Sequence, residues 1–152
     1  MKIIRNVVPF VFVVSLIFFM GCSNQAKDSS LKWYDNLETA QQVAQKENKP
    51  IFVDFTGSDW CVWCKKLNSE VFTQDEFINY AKNNLVLVKI DFPENVPQST
   101  ATKYYNQQLA QRFGVQGFPT VIILNSNGAP VAQTGYQPGG AANYVQYIKS
   151  LL

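Results

Sequence analysis

A chain of 152 residues is long enough for one domain with its own core, and at 47% hydrophobic and 16% charged it has a globular rather than a disordered composition. The formal net charge is +2, and without Lys2 and Arg5 in the N-terminal segment 11 basic residues face 11 acidic ones, which leaves no electrostatic case for nucleic acid or an anionic lipid surface. Three cysteines and no histidine exclude Cys/His zinc sites, Cys–His dyads and Ser–His–Asp triads, and two thiols are too few to close a zinc site in one chain, so no metal is expected.

The chain begins with an address. Lys2 and Arg5 form a positive start, residues 7–20 are apolar apart from Pro9 and Ser15, and Gly21-Cys22 precedes a polar run, Ser23-Asn24-Gln25-Ala26-Lys27-Asp28-Ser29-Ser30. That order describes a secretory signal peptide, and the apolar run is short for a spanning helix, which needs about 20 residues. We expect a signal peptide over 1–21, a flexible tether over 22–30 and one domain over 31–152. Phe19-Met20-Gly21-Cys22 resembles a bacterial lipobox, without its usual Leu and small residue at the first two positions. The resemblance implies that Cys22 is lipidated and becomes the mature N-terminus, anchoring the protein to a bacterial membrane on the periplasmic side. In some diderm bacteria Ser23 after that cysteine directs a lipoprotein to the outer membrane. The alternatives are an ordinary cleaved signal and an uncleaved anchor. Lipidation leaves Cys61 and Cys64 as the free thiols.

The domain reads as alternating strands and helices. Residues 31–33 read as an edge strand. Asn36 caps a helix over Leu37–Glu47, with Leu37, Ala40, Val43 and Ala44 on one face, and Lys49-Pro50 breaks it. Ile51–Thr56 is apolar on both faces except at Asp54, the pattern of a central strand covered by helices. A helix opens over 61–67, breaks at 70–72, and is followed by a second over 74–82. A buried strand over 85–90 leads to a loop over 93–99 and a helix over 102–113 with Tyr105, Leu109 and Phe113 in register. A strand over 121–124 returns through a turn over 125–128 into a hairpin strand over 131–134. The last helix covers 141–151, with Tyr144, Tyr147, Ile148 and Leu151 facing inward. The order is β-α-β-α-α-β-α-β-β-α, an α/β domain with a central mixed sheet flanked by helices on both faces.

The chemistry sits at Trp60-Cys61-Val62-Trp63-Cys64-Lys65, after the central strand. Two thiols at i and i+3 share one side of a helical turn and close a small ring. Unpaired N–H groups at a helix start favour a thiolate. Cys61 at the tip is therefore the attacking sulfur, and Cys64 one turn inside is the resolving sulfur that breaks the mixed disulfide. Lys65 and Lys66 add positive charge, and Asp59 opposes them. The bland reading is a short stabilising disulfide or half a metal site. No cofactor is needed beyond the redox-active Cys61–Cys64 disulfide.

Asp54 is costly in an apolar strand unless paired or functional. Behind Cys64 its raised pKa makes it a candidate proton acceptor for the resolving thiol; the alternative is a carboxylate bonded to a loop. In Gly117-Phe118-Pro119-Thr120, a cis bond before Pro119 frees the backbone of Phe118 to pair with an extended substrate beside the dithiol; alone, Pro119 would read as a trans residue opening a strand. Trp60 and Trp63 read as core or docking surface, with Trp63 between the cysteines expected to be exposed. Trp60, Trp63, Phe118 and Pro119 are thus the candidate substrate-binding residues.

With these residues in place, 33–152 resembles the thioredoxin superfamily. The segment Phe113-Gly114-Val115-Gln116-Gly117-Phe118-Pro119-Thr120 is similar to its cis-proline segment, and Gly128 and Gly135 match its pattern. A narrower resemblance is to the DsbH-type periplasmic thiol–disulfide oxidoreductases, through Phe55-Thr56-Gly57-Ser58-Asp59-Trp60-Cys61, Asp91-Phe92-Pro93 and Gly135-Tyr136-Gln137-Pro138-Gly139-Gly140. It implies a thioredoxin-like fold and a reductase that keeps exported thiols reduced, with exported proteins or small disulfides as substrates. Asp54 stands seven residues before Cys61, where six is usual in thioredoxin, and Val62-Trp63 replaces Gly-Pro between the cysteines. Strong oxidants often carry a His between their cysteines, so this pair is expected to be reducing. A reductase in an oxidising compartment must be recharged, which implies a membrane thiol-reductant as electron donor. The alternatives are a disulfide isomerase or cytochrome c maturation reductant and, in another class, a non-catalytic thioredoxin-fold binding module. Without a dimerisation segment the expected state is a monomer.

Overall fold

Strand pairing sets Ile51–Thr56 at the centre of the sheet, buried along its whole length. The computed structural model describes residues 30–152; the expected signal peptide, Cys22 and all of the tether except Ser30 lie outside the described residues. The elements in chain order are β1 (Trp33–Tyr34), α1 (Leu37–Glu47), β2 (Ile51–Thr56), α2 (Val62–Leu67), a π-helical turn (Asn68–Phe72), α3 (Asp75–Asn84), β3 (Val86–Asp91), α4 (Thr100–Arg112), β4 (Thr120–Leu124), β5 (Pro130–Thr134) and α5 (Gly140–Leu151). The five-stranded sheet has the order β1-β3-β2-β4-β5. β1 and β2 flank β3 in parallel, and β4 runs antiparallel to both β2 and β5. This is the mixed sheet expected of a thioredoxin-like fold, with parallel crossovers first and an antiparallel hairpin last.

Alternation along β2 divides the core in two. Ile51, Val53 and Phe55 join Val86, Val88, Ile90, Ile122 and Leu124 under Leu37, Ala40 and Ala44 of α1 and Leu109 of α4. On the opposite face, Phe52 joins Leu87, Val121 and Ile123 under Leu67, Phe77, Ala81, Tyr144 and Ile148 of α2, α3 and α5. Phe52 meets Trp33, Phe72 and Phe77 edge-on, with ring centroids 6.3, 5.7 and 5.8 Å away. Burial of each such side chain contributes roughly 1.5–3 kcal/mol. Two residues beyond Phe52, Asp54 faces the same way, toward α2.

The helix ends follow local chemistry. Asn36 accepts the Thr39 N–H at 2.8 Å and starts α1, and Asn48, left-handed at φ 50°, ends it before Pro50 is reached. Val43, expected on the buried face, is half-buried. α4 starts earlier than its apolar register indicates, because Ser99 accepts the Thr102 N–H at 3.0 Å. The expected break at 70–72 is instead a widened π turn continuous with α2, and it brings adjacent Val71 and Phe72 both into the core. In α5 the buried stripe is Ala141, Tyr144, Val145 and Ile148; Tyr147 and Leu151 are half-buried. Val145 takes the inward position because the stripe advances in steps of three and four.

Candidate active site

The central strand delivers the chain to the dithiol through a four-residue loop. β2 ends at Thr56, residues 57–60 turn, and Cys61 becomes the N-cap residue of α2 in extended geometry, φ −72° and ψ 112°. The Cys64 N–H points at the Cys61 sulfur, 3.2 Å away. That donor favours negative charge on Cys61 once the pair is reduced. In the structure the two sulfurs are bonded, with Cα atoms 5.2 Å apart, inside the range that a disulfide spans without backbone movement. Cys61 is 6% and Cys64 4% exposed.

Asp54 lies behind this pair. It is 3% exposed, and its Oδ1 has no hydrogen-bond partner among the described residues. A cavity of about 180 Å³ joins it to Cys64, walled also by Thr56, Ser58, Lys65, Asn68 and Lys89. Burial pushes the Asp54 carboxyl from 3.8 to about 7; Lys89, its cross-strand partner, pulls the other way, and Asp91 adds to the rise. The Tyr144 hydroxyl is likewise raised by burial and then by the Asp54 charge. The longer loop does not part the carboxylate from the resolving cysteine: both line one polar space, wide enough to hold water.

The loop before Cys61 is fastened to residues 91–95. Ser58 donates from its N–H and its hydroxyl to the two Asp91 carboxylate oxygens, at 3.0 and 2.6 Å. Trp60 Nε1 donates to the Phe92 carbonyl at 2.8 Å. The Asp59 carboxylate accepts the N–H groups of Glu94 and Asn95 at 3.0 and 2.6 Å. Burial opposes ionisation of Asp59, but these donors outweigh it and hold the carboxyl below its ordinary range. Its charge is thus committed to the loop. A Cβ at Gly57 would fall 2.5 Å from the Trp60 indole, so glycine there lets the ring lie across the end of β2.

The second half of the site comes from the segment before β4. The Phe118–Pro119 bond is cis. The Phe118 ring stacks on Phe92 at 4.9 Å and meets Trp60 edge-on at 6.0 Å. Trp60 is 39% exposed and Trp63 54% exposed. Trp63 leans on Tyr136 at 5.3 Å, with Lys66 over both rings, and the Tyr136 hydroxyl donates to Glu70 at 2.6 Å. Gly135 passes so close to Pro119 that a Cβ there would sit 2.8 Å from the Pro119 carbonyl oxygen. Gly135→Ala must move backbone rather than a flexible side-chain end, and is expected to cost about 1–3 kcal/mol, read as a lowered urea midpoint; an unchanged midpoint would contradict that packing.

Cys61, Cys64 and Asp54 are thus brought together, with Trp60, Trp63, Phe118 and Pro119 on the elements around them. Ser58, Asn68, Lys89 and Asp91 join the site without being among the expected residues. Lys89, a charge in an otherwise apolar strand, carried the same signal that singled out Asp54.

A Cys-x-x-Cys capping a helix at the end of the central strand, within this sheet order, defines a thioredoxin-like domain. The thioredoxin-like domain family matches residues 37–150, and the chain belongs to it. Within that family the chain is 36% identical over 124 residues to the disulfide bond reductase DsbH of Chlamydia pneumoniae, covering 82% of this chain and 74% of that one. A solved DsbH oxidoreductase superposes with a TM-score of 0.76 at 36% identity, over 81% of this chain and 85% of the other. The thiol:disulfide interchange protein DsbD of Campylobacter jejuni is 28% identical over 151 residues; the match takes in 89% of this chain but 25% of DsbD. A thioredoxin from Thermus thermophilus, at 22% identity and a TM-score of 0.59, shares the fold over 80% of this chain and 87% of that one. The chain is a DsbH-like thiol–disulfide oxidoreductase with a Cys61–Cys64 pair.

Proposed function

We propose that the chain is an exported disulfide reductase, held at the periplasmic face of a bacterial membrane by a lipid on Cys22. The likeness to a disulfide bond reductase across 82% of the chain carries the direction of the reaction. The Val62-Trp63 pair between the cysteines, without the His of strong oxidants, supports it.

The reduced Cys61 thiolate attacks one sulfur of a substrate disulfide. The Cys61–substrate S–S bond forms, the substrate S–S bond breaks, and the departing thiolate takes a proton from solvent. Cys64 then gives its proton to Asp54 through the shared cavity and attacks the Cys61 sulfur. The mixed disulfide breaks, the Cys61–Cys64 bond forms, and the second substrate sulfur leaves as a thiolate that takes a proton from solvent, to which Asp54 returns the one it accepted. Two electrons pass from the dithiol to the substrate. Trp60, Trp63 and Phe118 form the surface that the substrate meets, beside the backbone of Phe118 and Pro119. The substrates are exported proteins or small disulfides. A membrane thiol-reductant returns two electrons to the Cys61–Cys64 disulfide.

Acid quenching and alkylation of the exported protein in a bacterial cell test this reading. A reductase is expected mostly in the dithiol form; a pool that stays disulfide-bonded would indicate an oxidant and contradict the proposal. In the same cells an alkynyl fatty acid is expected to label the wild type and not Cys22→Ser. Equal labelling would overturn the anchor.

A further inference from the structure

The bond between Ser58 and Asp91 joins residues 33 apart in the chain, and both ends lie outside the dithiol itself. Ser58 is exposed. Its two contacts lie outside the hydrophobic core, and because the acceptor is a carboxylate they are charge-assisted and fix the loop in one direction. Asp91 is also held firmly from behind. It closes β3 in register with Thr56, and its carbonyl accepts from Gln98 Nε2 at 3.1 Å and from Asn106 Nδ2 at 2.8 Å. Asn106 is 3% exposed on α4, a polar side chain buried where it can hold the end of β3. The next residue, Phe92, receives Trp60 Nε1 and stacks on Phe118.

One short segment thus meets both halves of the site: the loop that aims Cys61, and the aromatic residue before Pro119. Thiolate attack on a disulfide needs the three sulfurs nearly in line, so the direction of the Cys61 side chain governs the rate. Between β2 and the helix tip lie Gly57, Ser58, Asp59 and Trp60, a span that can turn unless it is fixed along its length. Both Asp91 carboxylate oxygens are spent on fixing it.

We propose that Asp91 is a positioning residue for disulfide exchange: through Ser58 it holds the 57–60 loop and orients the Cys61 sulfur toward the Phe118–Pro119 backbone, where the substrate disulfide docks. This rests on disulfide exchange at Cys61 and is independent of its direction.

The test uses the full chain in detergent with four forms: wild type, Asp91→Ala, Asp91→Asn and Ser58→Ala. Insulin reduction reads docking plus attack, and alkylation of the reduced protein by iodoacetamide reads Cys61 reactivity toward a small reagent that needs no docking. Asp91→Ala is expected to lower the rate of insulin reduction by about ten- to a hundredfold while alkylation changes little. Asp91→Asn is expected to restore the rate, because its amide oxygen accepts the Ser58 N–H and its NH₂ donates to the Ser58 hydroxyl. Ser58→Ala leaves Asp91 and its α4 contacts in place, folds without cost to the core, and is expected to show a smaller loss in the same direction.

Equal insulin reduction by Asp91→Ala and wild type would overturn the inference, as would equal rates for Ser58→Ala and wild type should Asp91→Ala not fold. Failure of Asp91→Asn to rescue would assign the effect to charge and overturn it too. A wild type that reduced no disulfide would instead overturn the oxidoreductase reading on which the inference rests.

Discussion

Cys64→Ser is expected to stop the chain halfway, as a mixed disulfide held through Cys61, while Cys61→Ser is expected to show no exchange above the uncatalysed level. The asymmetry follows from the fold. Cys61 sits at the helix tip with a backbone N–H aimed at its sulfur, and Cys64 lies one turn inside, facing the cavity it shares with Asp54. The second step is intramolecular, and oriented groups of that kind act at effective concentrations on the order of 10⁵ M or more. No external thiol at ordinary concentration replaces Cys64, so the intermediate accumulates. Non-reducing gels of Cys64→Ser incubated with a disulfide-bonded protein should show a higher-mass adduct that a reductant dissolves. An adduct formed by Cys61→Ser instead would reverse the assignment of the two sulfurs. A Cys61→Ser chain that kept full activity would point to a binding module rather than a catalyst.

The second large effect belongs to Asp54, and it shows in stability as well as in rate. The carboxyl keeps its proton to about pH 7 in the fold but ionises near 3.8 when exposed. Between those values the unfolded chain binds fewer protons than the native one, so stability falls as pH rises. The favourable contribution is complete below the unfolded value and is lost as pH climbs through the folded one. Asp54→Asn removes that dependence. Its advantage over wild type is expected to grow from pH 4 to pH 7 and then to level off, with a plateau of roughly 4 kcal/mol at most. Urea unfolding at pH 5 and pH 8 measures it; an advantage that does not grow with pH would place Asp54 in contact with water or with a cation. The same substitution should slow resolution of the mixed disulfide. In the wild type the rate should rise through about pH 7 as Asp54 ionises, and in Asp54→Asn that rise should move toward the ordinary thiol value of about 8.5.

Much of this was legible in the chain because it is local. Cys61, Cys64 and the helix they open lie within a few residues of each other, and the continuous apolar run of β2 and the order of elements were enough to place a mixed sheet. Asp54 stood out by its cost in an apolar strand, but nothing local told which face it would take. That came from the packing of Phe52 against α3 and α5, two residues away on the same side. Lys89 meets Asp54 through parallel strand register, a long-range fact that no spacing encodes. The Ser58–Asp91 and Tyr136–Glu70 bonds join residues 33 and 66 apart. The irregularity at Glu70-Val71-Phe72 was legible as a break, but not its form: tertiary burial of adjacent Val71 and Phe72 turns it into a π turn continuous with α2.

Among the described residues no helix is long and apolar enough to cross a membrane. The direction of exchange at the dithiol is tested most directly by the reduction potential of the Cys61–Cys64 pair. It is obtained by equilibrating the full chain with glutathione and dithiothreitol buffers and reading the alkylated cysteine peptides by mass. A reductase is predicted to lie near the thioredoxin level, about −270 mV. A value near or above about −180 mV, the range of isomerases and oxidants, would contradict the reductase reading and make shuffling or oxidation of exported proteins the function of this site.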